Sequence, residues 1–228
     1  MERLYKMILT VDIGNTNIMF CSFKKSKILK VLNINIKNLK FDQDLFKELN
    51  FLFPVKDIFG IAISSVVPNL NDKIIFFFES YYKVKPSLIS NIFKKFKLKT
   101  FIKKKKEIGI DRVINVIYAN ELVNSSSLII DFGTATTIDF INSDSVYEGG
   151  IIAPGIDLSL TNLNKFTAKL PLVKFKRTKS VIGNSTKNAI KSGFFWGYIC
   201  MINGLIKKII LEKRIKPKIF LTGGNSIL

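Results

Sequence analysis

Two short stretches combine a carboxylate, a glycine and small hydroxyl or amide side chains, as phosphate-binding turns do. The first is LTVDIGNTNIMF, residues 9–20; the second is LIIDFGTATTIDF, starting at Leu128. In DIGNTN, Asp12 closes an apolar run. Gly14 lets the main chain approach a ligand closely and take an unusual φ. Asn15 and Thr16 add side-chain donors, and the amides of the turn add more, a set that suits phosphate oxygens. Asp12 can hold Mg²⁺ directly or through water, since that ion prefers hard oxygen ligands and keeps several waters. DFGTAT repeats the kit with Asp131, Gly133, Thr134 and Thr136. Either stretch alone also reads as an ordinary hairpin turn, where Asp, Asn and Gly occur for conformational reasons. Two of them, each opening half of the chain, point to paired hairpins that grip one polyphosphate and its metal. Neither GxxxxGK[ST] nor GxGxxG occurs, so the other common phosphate loops are excluded.

Composition narrows the chemistry further. The 228 residues include no histidine and two cysteines, Cys21 and Cys200. Ser-His-Asp and Cys-His catalysis are excluded, as are His-ligated zinc sites. Two cysteines supply neither a disulfide framework nor a four-thiolate site, and they suit a reducing cytoplasm. Chemistry must rest on Asp, Glu, Lys, Arg, Ser, Thr and backbone amides. The chain is 47% hydrophobic, enough for a substantial core. No signal peptide is expected, because the apolar run 7–11 is short and leads straight into Asp12. The longest apolar stretch, 193–206, falls short of the roughly 20 residues of a membrane span and contains Asn203, so no membrane-spanning segment is expected.

A formal charge of +19 invites a nucleic-acid reading. Of the 36 basic residues, however, only Arg3, Arg112, Arg177 and Arg214 are arginine, the type best suited to bidentate base and phosphate recognition. Abundant Lys, Ile, Asn and Phe together follow from AT-rich codons without any selection for nucleic acid. The lysine run 103–106 reads as a solvated loop, and nucleic-acid binding is not expected.

The elements that must hold the two turns follow from periodicity. Residues 7–13, 17–23 and 27–36 read as three consecutive strands joined by short polar turns. A helix is expected near 42–52, a buried strand at 58–66, a helix opened by Pro68 and running to about Tyr82, and a strand at 86–90. Asp111 can cap the helix RVINVIYANELV. At Leu128 the pattern restarts with three strands, then helices near 156–169 and 186–211, and a last strand at 218–224. Alternating strands and helices imply mixed α/β sheets covered by helices. Two such halves, meeting near 105–110, imply a ligand cleft between them.

The ordered series DIGNTN at Asp12, GIDR at Gly109, DFGTATTID at Asp131, GGIIAPG at Gly149, GNSTKNAIKSG at Gly183 and LTGG at Leu221 resembles type III pantothenate kinase, within the superfamily of sugar kinases, actin and heat-shock chaperone ATPases. The resemblance implies two ribonuclease H-like, actin-like lobes, residues 1–108 and 109–228, with ATP between them. It implies ATP and pantothenate as substrates, a homodimer, Mg²⁺ with the ATP, and a monovalent cation, K⁺ or NH₄⁺. It assigns the ATP phosphates to Asp12, Ile13, Gly14, Asn15, Thr16, Asn17, Ile18, Met19 and Thr134. It assigns the monovalent cation to Asp131. It places pantothenate against Gly109, Ile110, Asp111, Arg112 and Thr186, with Asp111 as general base. Arg112 suits a carboxylate by a bidentate pair. Asp111 is equally an N-cap, and the two roles are compatible. Thr186 and its neighbours read either as substrate contact or as capping of the long helix. Gly193 and Gly197 read either as packing within the monomer or as a dimer contact. The family's Tyr before Gly-x-Asp-Arg is replaced by Ile102, so weaker pantothenate affinity is expected. Family members continue past the Gly-Gly turn with a helix, whereas four residues follow Gly224, so a weakened adenosine site is expected.

Overall fold

Alternation of apolar and polar residues decides which face of each sheet is covered. The computed structural model describes residues 6–25, 27–90, 98–104 and 107–224. It divides into two compact units, Met1–Lys97 with Lys106–Val113, and Leu98–Lys105 with Ile114–Leu228.

The first unit holds β1 (Met7–Ile13), β2 (Asn17–Lys24), β3 (Lys27–Asn35), α1 (Gln43–Leu52), β4 (Ile58–Ser65), α2 (Pro68–Tyr81) and β5 (Ser87–Leu88). Its sheet runs β3-β2-β1-β4-β5. β1 and β2, and β2 and β3, pair antiparallel, while β4 lies parallel to β1 and β5 parallel to β4. Leu9, Val11 and Ile13 of β1 point to one face with Ile18, Phe20, Ile61 and Ile63, and α1 and α2 cover them with Leu45, Leu49, Ile74, Phe77 and Phe78. Asp42 caps α1 by accepting from the amides of Asp44 and Leu45, and Pro68 opens α2 where its missing N–H costs nothing.

The helix α3 (Ile110–Leu122) follows. In the second unit come β6 (Lys99–Thr100), β7 (Ser127–Phe132), β8 (Ala135–Ile141), β9 (Val146–Pro154), α4 (Ile156–Lys165), α5 (Thr186–Lys213) and β10 (Lys218–Thr222). The sheet order is β10-β7-β8-β9-β6. The antiparallel meander β7-β8-β9, with β10 parallel to β7, repeats the arrangement of β1-β2-β3 with β4. The internal repeat read from the two turns is therefore a repeat of topology. Leu128, Ile130, Ile138 and Phe140 pack with Ile202 of α5 on one face.

Three local expectations change. The lysine-rich loop includes β6, whose two residues pair parallel with β9, a pairing too short to show in periodicity. Lys103 and Lys104 of the run are exposed; Lys105 and Lys106 lie outside the described residues. The helix expected over 156–169 stops at Lys165, where the Phe166 amide closes the last turn on Asn162 O. Finally, α5 is long and apolar enough to cross a membrane by length and composition. Contiguous apolar residues were too few to suggest this, because Lys191 and Asn203 interrupt the run. One face of α5 packs onto its own unit through Ile190, Phe195 and Ile202, and the other is rich in glycine and exposed. Its last turn is tied to β9, where Lys213 Nζ lies 2.8 Å from Glu148 Oε2. Both side chains are partly solvated, so the pair contributes no more than about 1 kcal/mol.

Candidate active site

The strand that ends in Asp12 also explains where Asp12 points. Val11 and Ile13 are buried in the core, so period-two alternation puts Asp12 on the opposite face, exposed at the strand end. Beyond it the chain reverses tightly: the Gly14 amide donates to Asn17 O at 3.0 Å. A Cβ on Gly14 would stand 3.3 Å from that oxygen. Gly14 does not adopt a positive φ, nor does Gly133. The glycine at 14 is required by close approach, and the unusual φ expected for it is not found. The turn is anchored on both sides, with the Ile36 amide donating to Thr16 O and the Val66 amide to Ile13 O. Asn15, Thr16, Asn17 and Met19 are exposed, so they can reach a ligand. Ile13 and Ile18 are fully buried and can offer only backbone atoms.

The electrostatics around Asp12 join it to the GIDR motif. Its pKa is raised, first by removal from water, and also by the negative charge of Asp111; the Ser64 hydroxyl opposes both. Ser64 Oγ is buried without a hydrogen-bond partner among the described residues, so its hold on the carboxylate is weak. The carboxylate itself is solvent-exposed, and screening limits all three effects. Asp12 and Asp111 thus feel each other within the first unit. The exposed carboxylate of Asp12 at the strand end fits a Mg²⁺ that takes one or two protein oxygens and fills its remaining positions with phosphate and water. Among the described residues no cluster of three or more His, Cys, Asp or Glu could hold a metal by itself.

Asp111 is not the N-cap of α3. The helix begins one residue earlier, at Ile110, and the Val113 amide already bonds to Gly109 O at 3.2 Å. From inside the first turn, Asp111 Oδ1 accepts from the amide of Arg112 at 2.8 Å. The bond uses one carboxylate oxygen and holds the side chain near the helix N-terminus, where negative charge is favoured. Gly109 leaves room for this fold-back: a Cβ there would come within 2.4 Å of Asp111 Oδ1 and displace that side chain. Arg112 and Ile110 are half-buried beside it.

The second turn is built by contacts from distant segments. Asp131, at the end of β7, is half-buried, and its Oδ2 accepts from Asn115 Nδ2 of α3 at 3.1 Å. Thr134 is exposed in the turn. Thr136, counted with the phosphate ligands on sequence, faces the other way: it is buried on the side of Ile138 and Phe140, and its Oγ1 has no partner among the described residues. Its place in β8, two residues past the turn, decides this by alternation. Gly155 closes on the same turn. Its amide donates to Thr134 O at 3.0 Å, and a Cβ there would lie 2.2 Å from that oxygen and 2.5 Å from Gly133 O. Since Gly155 has an extended φ of −74°, space alone demands the glycine. Gly223, at φ +90°, stands against Asp131 and Phe132 and has no room for a side chain either.

Replacing Gly155 with Ala should therefore push the second turn away from its position. The expected cost is about 1–3 kcal/mol of stability, as for other overpacked sites whose neighbours are backbone atoms, together with weaker ATP binding through displacement of Thr134. Urea unfolding and nucleotide titration check the two effects; an Ala variant as stable and as tight-binding as the parent would show that the turn yields freely.

Thr186 is the first residue of α5 and exposed. Capping is done by its neighbours: Ser185 Oγ accepts from the Asn188 amide, and Asn188 Nδ2 donates to Asn184 Oδ1. Gly183 fits under this first turn, where a Cβ would be 2.3 Å from the Ala189 amide nitrogen. The Thr186 side chain is thus not used as the cap. Ile102 lies in the second unit near β9, its Cδ1 3.9 Å from where a Cβ of Gly149 would be. Gly155 and Gly223 lay within the GGIIAPG and LTGG motifs without a role assigned to either, and Asn115 and Ser64 were not singled out on sequence. Asn115 had a further signal in its place four residues after Asp111 on a helix, and so on the same side.

The chain as a whole is similar to known proteins. Residues 8–208 match the family model described as type III pantothenate kinase. The type III pantothenate kinase of Persephonella marina is 38% identical over 224 residues, covering 96% of this chain and 88% of that protein. That of Ehrlichia canis is 35% identical over 229 residues, covering 97% and 86%. Among solved structures, the ethanolamine utilization protein EutJ from Carboxydothermus hydrogenoformans aligns over 96% of this chain and 76% of its own, with a TM-score of 0.52 at 12% identity, a likeness of fold.

Proposed function

The chain belongs to the type III pantothenate kinase family, and from that membership we propose that it transfers the γ-phosphate of ATP to the terminal hydroxyl of pantothenate, giving 4′-phosphopantothenate, the first step of coenzyme A synthesis. The structural observation that supports this best is the repeat in both units of a strand that ends in an aspartate and leads through a tight glycine turn into an antiparallel partner, with Asn15, Thr16 and Thr134 exposed in the turns.

The residues then divide the work. The exposed turn from Asp12 to Asn17 offers amides and side chains to the phosphates, with Thr134 offering the same from the second turn. Asp12 holds Mg²⁺, which when bound neutralises charge on the phosphate oxygens. Asp111 accepts the hydroxyl proton as the oxygen bonds to phosphorus and ADP leaves. A carboxylate suffices here because phosphoryl transfer through a loose transition state depends mainly on alignment and charge stabilisation. Arg112 pairs with the pantothenate carboxylate, and Gly109, Ile110 and Thr186 complete the substrate contacts. Asp131 holds the monovalent cation, K⁺ or NH₄⁺; its half-buried carboxylate, oriented by an amide, fits an oxygen-ligated ion.

A homodimer belongs to the same reading. Its support is the outer face of α5, where Gly193, Gly197 and Gly204 have nothing within 4 Å of an added Cβ and Cys200 is exposed between them. These positions recur at i, i+4, i+7 and i+11, a smooth stripe that permits close approach of another helix. The free thiols of Cys21 and Cys200 suit a reducing compartment, the cytoplasm.

The test is ADP release by the purified protein with ATP, Mg²⁺ and K⁺, with and without pantothenate, on material whose mass is measured by light scattering. Pantothenate-dependent release from a two-chain species is expected. Folded protein that binds ATP but releases no ADP would mark a nucleotide-binding homologue without turnover, and a single-chain mass would remove the dimer.

A further inference from the structure

The residue that orients the proposed cation ligand lies on the helix that carries the proposed base. Asn115 Nδ2 donates to Asp131 Oδ2 at 3.1 Å, across 16 residues and in a partly buried setting. The other carboxylate oxygen stands where two glycines leave room: Asp131 Oδ1 lies 2.6 Å from where a Cβ of Gly223 would be and 3.5 Å from one on Gly133. The geometry points to Asn115 as a positioning residue for monovalent-cation activation, resting on the assignment of that cation to Asp131.

The physical reason is directional. A carboxylate on a strand end can turn about its last bond and present different lone pairs. Loosely hydrated K⁺ or NH₄⁺ gains from a site only if the protein oxygens hold one arrangement. An amide N–H on Oδ2 takes up one lone pair and stops the rotation. Oδ1 occupies the space that the missing side chain of Gly223 leaves, and a side chain at 223 would collide with it. Outer partners of ligating carboxylates typically contribute 10–100-fold in metal affinity. Asn115 is itself half-buried, and no cation need touch it.

The experiment uses the full chain and the variants Asn115→Ala, Asn115→Leu and Asp131→Ala. Asn115→Leu keeps the approximate size and removes the donor without adding charge. The first readout needs no turnover: the rise in melting temperature given by KCl beyond that given by equimolar NaCl, with Mg²⁺ and an unreactive ATP analogue present. The second is the K⁺ concentration for half-maximal turnover, measured alongside KM for pantothenate. Both Asn115 variants should need roughly 10-fold more K⁺ in each assay, with KM for pantothenate unchanged, and Asp131→Ala should lose the K⁺-specific rise. Parental K⁺ dependence in the Asn115 variants, with the rise lost in Asp131→Ala, would overturn the role of Asn115 alone. A K⁺-specific rise kept by Asp131→Ala would remove the cation assignment and this inference with it. Failure of both Asn115 variants to fold in NaCl would show a structural tether and overturn the inference too.

Discussion

Asp111→Asn should lower kcat by about 10²-fold or more while leaving the dissociation constant for ATP within a few-fold of the parent value. General bases in enzymes contribute typically 10²–10⁴-fold. The low end applies here, because a loose phosphoryl transfer asks little of its base. The substitution is clean on structural grounds. Asn retains an oxygen that can accept from the Arg112 amide, the bond that anchors Asp111 at 2.8 Å, and it fits the space left by Gly109. Helix α3 should therefore stay intact. Steady-state kinetics with nucleotide titration decides the matter. Unchanged turnover would remove Asp111 as base, and ATP binding lost in parallel with turnover would make it a phosphate-site residue instead.

Asp12→Asn should separate stability from activity. Turnover should fall by on the order of 10²–10³, the usual loss when one preorganised charge-stabilising group is removed. Stability should move the other way at neutral pH. Burial, and then the charge of Asp111, raise the Asp12 pKa above its ordinary value of 3.8. A carboxylate with a raised folded-state pKa binds its proton more tightly in the folded than in the unfolded chain. Its ionised form is therefore a burden on the fold at all pH values above the folded pKa. The burden fades as pH falls through that value and is gone below about 3.8. The Asn variant should thus melt above the parent at pH 7, by a margin that solvent screening keeps small, and the two should converge in acid. Paired melting curves from pH 7 downward test the sign. A variant less stable than the parent at pH 7 would mean that Asp12 makes favourable contacts which outweigh its desolvation.

Both predictions concern residues that the amino-acid order already marked, and the reason is local. Strand alternation is a two-residue property, so Leu9, Val11 and Ile13 in the core force Asp12 onto the other face. Turn chemistry is a four-residue property, so DIGNTN and DFGTAT announce tight reversals. The topological repeat was legible because each turn opens the same run of strands. The misreadings came from the limits of the same local rules. Thr136 looked like part of a ligand kit but belongs to the strand beyond the turn, where alternation buries it. Asp111 looked like a cap because nothing in the order of residues says whether a helix starts at Ile110 or after it. The membrane-length apolar character of α5 emerged only once one helix was seen to run from Thr186 to Lys213.

What tertiary structure decided is the set of contacts between residues far apart in the chain. The glycines at 155 and 223 are explained by backbone atoms of 133, 134 and 132 pressing on them, and a glycine's reason for being there is invisible until its neighbour is known. β6 exists because β9 offers an unpaired edge for its two residues. Asn115 reads on sequence as one polar position in an apolar helix; only the packing of α3 beside β7 gives its amide a carboxylate to hold. Local pattern specifies which way a side chain faces, whereas hydrogen-bond partners and excluded volume are properties of pairs brought together by the fold.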